Sequence, residues 1–150
     1  MSDITELRLP PNMEALVSSF LRDQDEVADW VADRVYTVLP KPQKDVEIYP
    51  CVRVTQLLDQ PAGAPLWAVA FMVQVEAFGG TKATAWTIAS TCRAAIDLRL
   101  KGEYPAFGVV NGSTPGALLD LPDQAFEPAK PRWLFTSTIY GHPLATMPDS

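Results

Sequence analysis

The chain has 150 residues, 47% of them hydrophobic and 20% charged. That is room for a single domain with a real core, and it is far from the depleted, highly charged composition of disordered chains. A net charge of −6 with a single histidine excludes a grip on nucleic acid, which needs clustered Lys and Arg. Two cysteines, Cys51 and Cys92, are too few for a disulfide framework.

The opening MSDITELRLPP lacks the basic and apolar regions of a signal peptide, and no apolar run approaches the roughly 18 residues of a membrane span. A soluble protein made in a cytosol is expected, with no membrane partner. Residues 1–11 end in Pro10-Pro11, which holds the chain extended, so they read as an arm. Asn12 caps a short helix to about Leu21, with Met13, Leu16, Val17, Phe20 and Leu21 on one face. A second helical segment restarts at Asp23 or Asp25. Its stripe is Val27, Trp30, Val31 and Val35, while Asp25, Glu26, Asp29 and Asp33 form a solvated face.

Leu39-Pro40-Lys41-Pro42 ends the helical unit, and from Cys51 the pattern switches to period two. Val52 and Val54 take one face, and Cys51, Arg53 and Thr55 the other. After the turn DQPAGAP, a second strand alternates Trp67, Val69, Phe71, Val73 and Val75 against Ala68, Ala70, Met72, Gln74 and Glu76. The two make an antiparallel hairpin. Gly79-Gly80 breaks that strand, and Thr81 opens the longest helix, to Leu100, with Ala85, Ile88, Ala89, Cys92, Ala95, Ile96 and Arg99 down one side.

Phe107 to Asn111 reads as a short strand closed by the hairpin turn Asn111-Gly112. ALLDL is another short strand, PDQAFEPAKP a connection, and RWLFTSTIYG a long alternating strand. His142 then falls in a tail over 142–150, read as a second arm. Helices, a hairpin, a helix and more strands give an α+β domain, with an antiparallel or mixed sheet and helices packed on one face.

The same pass finds no catalytic, cofactor-binding or metal residues. His142 has no nucleophile beside it in sequence, and neither cysteine sits at a strand-to-helix elbow or an electropositive helix start. No CxxC, HxxxH or calcium-loop spacing occurs. GGTKAT lacks the spacing of a phosphate loop and serves instead as a tight turn into the helix.

The order of segments resembles the tail terminator proteins of siphophages that infect actinobacteria. The resemblance is carried by RVYTVLP (Arg34 to Pro40), YPCVRV (Tyr49 to Val54), VEAFGGTKATAW (Val75 to Trp86) and ASTCRAAI. GVVNG (Gly108 to Gly112) and PDQAFEPAKPRWLFTSTIYGHP (Pro122 to Pro143) complete it. It implies a virion structural protein without cofactor, located in the neck at the top of the tail and assembled in the host cytoplasm. The implied subunit belongs to a ring, commonly a hexamer, that binds the last ring of the major tail tube protein. Such a ring stops tube polymerisation and presents a surface to the head–tail connector. DNA passes its channel without specific binding, and an acidic lining suits that passage. The segments 1–11, 40–50, 59–66 and 142–150 are natural contact segments for a ring. The competing readings are another head–tail connector or neck subunit and a small hydrolase or ligand-binding domain.

Overall fold

A computed structural model describes residues 11–41, 47–61, 69–125 and 129–143, with backbone only at 58–61. Helix α1, Met13–Arg22, starts where the Asn12 side chain accepts a hydrogen bond from the Ala15 N–H at 3.1 Å. Helix α2, Asp25–Val31, follows, and Ala32 ends it with φ of 55°. The third helix, α3, Lys82–Arg99, is capped by Thr81, whose hydroxyl accepts from the Thr84 N–H. Gly79 makes the sharp entry into α3 possible: a Cβ there would lie 2.8 Å from the Ala85 nitrogen.

The strands are β1 (Val35–Tyr36), β2 (Cys51–Pro61), β3 (Val69–Phe78), β4 (Gly102–Tyr104), β5 (Gly108–Pro115), β6 (Leu119–Asp120) and β7 (Arg132–His142). They form one sheet in the order β1-β2-β3-β7-β5-β4, with β6 added beside β7. The β1–β2 pair is parallel and every other pair antiparallel, so the α+β class with a mixed sheet is observed as expected.

The pleat decides the packing. Val52, Val54, Phe71, Val73, Val75, Phe135 and Ile139 share one face and are buried. Against them lie Met13, Leu16, Val17 and Leu21 of α1 and Ile88, Ala89, Cys92 and Ile96 of α3. The helices therefore sit on one side of the sheet, and the main core lies between the layers.

Several expectations are corrected. Asn111-Gly112 is no hairpin turn: β5 runs through it, and a bulge between Val110 and Gly112 absorbs the extra residue. The long partner β7 holds the strand straight where local turn chemistry favoured reversal. Val35 belongs to β1 rather than to the α2 stripe, because the chain reverses at Ala32 and pairs Val35 with Val52. Trp30 is 43% exposed, and Arg99 points outward to Glu26 instead of joining the apolar side of α3.

His142 is the last residue of β7, paired with Val109, and not part of a tail. Pro11 is buried, and a Cβ on Gly108, whose φ is 153°, would come within 2.8 Å of its ring. Residues 1–10 and 144–150 of the expected arms, and Trp67 and Ala68 of the expected strand, lie outside the described residues.

Candidate functional site

Cys51 and His142 are kept apart by register. Cys51 opposes Phe78 at one end of β3, whereas Gly141, beside His142, opposes Val69 at the other end. That length of strand is about 30 Å at roughly 3.4 Å per residue. Burial pushes the Cys51 thiol up to about 12 against the opposing pull of Arg34, Lys130 and Arg53, and burial alone takes Cys92 to about 12. Both thiols are protonated near neutral pH and chemically quiet. His142 directs Nδ1 at its neighbour's carbonyl, Pro143 O, 2.7 Å away. Among the described residues no three His, Cys, Asp or Glu side chains gather as a metal site would need. No described helix is long and apolar enough to cross a membrane.

Chemistry concentrates instead on the far face of the sheet, as structure. Glu76 is buried on β3, 2.7 Å from Arg53 on β2 and 2.7 Å from Arg132 on β7. Burial by itself would raise the Glu76 carboxyl, but hydrogen bonds and charge from the two arginines hold it below the ordinary carboxylate range. Arg53 also lies over the Phe78 ring, which meets Tyr49 edge-on, and Lys130 sits 3.8 Å from the Tyr49 ring centre. With Ile48, Cys51 and Phe78 this closes one end of the far face. The sequence showed Glu76 only as the polar end of an alternating strand. The two arginines come to it through strand register, which no local pattern carries.

Toward the other end Ala70 is buried, and the remaining described side chains of that face are less covered. Thr55, Gln74, Met72, Thr136, Thr138, Thr114 and Tyr140 stand in adjoining cross-strand positions, half-buried or exposed. Exposed apolar side chains flank the domain on both layers: Leu57 at 46% and Tyr140 at 39% on the sheet, Trp86 at 48% and Leu98 at 78% on α3. Trp86 and Leu98 bound a groove of about 420 Å³ that also involves Ser90, Thr91 and Ala94, with the Glu26–Arg99 ion pair at its rim. Apolar groups left on separate sides of a small domain suit contacts with more than one neighbour.

No protein-family model matches the sequence, and no curated protein matches it. Among solved structures the chain is similar in fold to one from "Virion of native gene transfer agent (GTA) particle". The TM-score is 0.63 at 13% identity, over 87% of this chain and 94% of that one. At that identity the likeness is one of fold.

Proposed function

We propose that this chain is a structural virion protein. It is a subunit of a ring, hexameric by its resemblance to tail terminators, that caps the tail tube, ends its polymerisation and offers the joining surface to the head connector. The observation that carries this reading is the distribution of uncovered surface. Trp86 and Leu98 on the helix layer and Leu57 and Tyr140 on the sheet layer lie on different sides of one domain. A ring subunit needs such unlike patches, because each copy meets two neighbours through different faces and the tube through a third. The fold likeness to a chain of a virion particle supports the same reading. So does the net charge of −6, which lets DNA slide through a channel without being held. The reading involves no catalytic residue, cofactor, metal or membrane.

The two faces of a cap must differ, since one binds the tube and the other must refuse a further tube ring. Residues 1–9, expected from the sequence to form an arm, are the first candidate for supplying that asymmetry. The truncation stops before the buried Pro11. The test is polymerisation of the cognate tail tube protein with the purified chain added, followed by electron microscopy. Tubes should end earlier and carry a terminal ring, whereas the 1–9 deletion should melt normally and cap poorly. Binding to the connector ring with no effect on tubes would identify a neck subunit instead.

A further inference from the structure

Among the described residues each edge of the sheet has one stretch without a strand partner, and the two stretches share the rows from Leu58 and Thr114 to Gln60 and Gly112 while facing opposite ways. On the outer side of β2, strand β1 pairs only with Val52 and Arg53. Val54 has the same outward phase as Val52, and after it the N–H of Gln56 is taken by the Glu14 carboxylate at 2.9 Å. Beyond it, from Leu57 to Pro61, no described strand pairs with that side. On the outer side of β5, strand β4 pairs only with Gly108 to Val110, leaving Asn111 to Pro115 without a strand partner among the described residues.

These stretches share rows across the sheet. Asp59 opposes Phe71, Phe71 opposes Ile139, and Ile139 opposes Ser113. The hydrogen-bonding phase agrees at both edges. The Gly116 N–H donates to the Thr136 carbonyl, so by alternation the Ser113 N–H and carbonyl point away from β7. On β2 the Val52 N–H donates outward to Arg34, and carrying the alternation along β3 past the bulge turns the Asp59 backbone outward too. Pro61 and Pro115 then stand at outward-facing positions, where a missing N–H breaks no ladder within the subunit and sets where an added strand must stop.

We infer that the outer edge of β2 in one copy pairs with the outer edge of β5 in the next, so that the sheet continues from subunit to subunit. Directions fit: β2, β3, β7 and β5 alternate, so β5 of a neighbour meets β2 antiparallel. The occupant is a second copy because the two edges present short open ladders of matching phase in shared rows and face opposite ways. The contact is heterologous, the kind that builds rings. It rests on the ring reading and specifies the joint that reading leaves open. The stretches without a strand partner are short and each ends in proline, which limits indiscriminate pairing outside the assembly.

The test uses the full chain on tail tubes and in solution. Ser113→Pro removes the outward N–H, and Ser113→Ala controls for loss of the long hydroxyl contact to the Ile96 carbonyl at 3.4 Å. Ser113→Pro should weaken self-association by about tenfold or more, while Ser113→Ala should not. If the proline variant fails to fold, cross-linking decides. A Leu57→Cys, Thr114→Cys double variant treated with a short bismaleimide should give covalent ladders up to the full ring, the native thiols being buried. Either single variant should stay monomeric. Cross-links in a single variant would mean that like edges pair, and would overturn the inference. Rings that persist in Ser113→Pro, with no ladder in the double variant, would overturn the joint while leaving the ring standing. A native chain that forms no ring on any tube would remove the ring itself.

Discussion

The two faces of the sheet are built from the same strands and treated oppositely. Toward the helices every second residue of β3, from Phe71 to Ala77, is buried under α1 and α3. Away from them the same strand carries Met72, Gln74 and Glu76. The end around Glu76 is closed by two arginines and a small apolar cluster. The helix face makes the domain stable, and on the proposed reading the far face, with the edge stretches that have no described strand partner and the outer side of α3, is the surface used for assembly.

The sharpest way to break the comparison is to empty a site on each face. Phe135→Ala on the fully buried helix face should cost about 3–5 kcal/mol and show as a large drop in the denaturant midpoint. Glu76→Gln on the far face should cost less, about 2 kcal/mol at neutral pH, because Arg53 and Arg132 remain partly solvated. It also carries a pH signature. The folded Glu76 carboxyl titrates below its ordinary value of 4.5. Its contribution is therefore complete above that value and is lost as pH falls below it. Urea titrations at pH 7 and at pH 3 should show native stability falling more steeply than that of Glu76→Gln.

Smaller effects sharpen the contrast. Cys92→Ala, in the core but nearly isosteric, should cost about 1 kcal/mol, and neither native thiol should react with a disulfide reagent before unfolding. Trp86→Ser combined with Leu98→Ser, on the exposed side of α3, should move the melting transition by no more than about 0.5 kcal/mol per site. The same variant should lose assembly on tubes, a separation that buried positions cannot show.

Much of the helix face was legible in the sequence, because it is written in local periodicity. Val52 and Val54, then Phe71, Val73 and Val75, and the small-residue side of α3 declare their faces within a few residues of chain. The far face was not legible, because its content depends on which strands become neighbours. Glu76 meets Arg53 and Arg132 only once β2, β3 and β7 are in register. Asn111-Gly112 misled for the same reason: the signal is local, whereas β7, which holds β5 extended, comes from farther along the chain. The strand β4 had no periodic signal at three residues, and its pairing depends on β5. Edges are invisible until the sheet order is known, so the sequence offered contact segments such as 59–66 but not the pairing of one edge with another.

The central claim is that this chain ends a tail tube, and it is tested most directly by electron microscopy of particles produced without it. Without the chain, tails should have uncontrolled length and fail to join heads, and the native chain but not a Trp86→Ser, Leu98→Ser variant should restore one length. Tails of normal length on complete particles in its absence would contradict the claim.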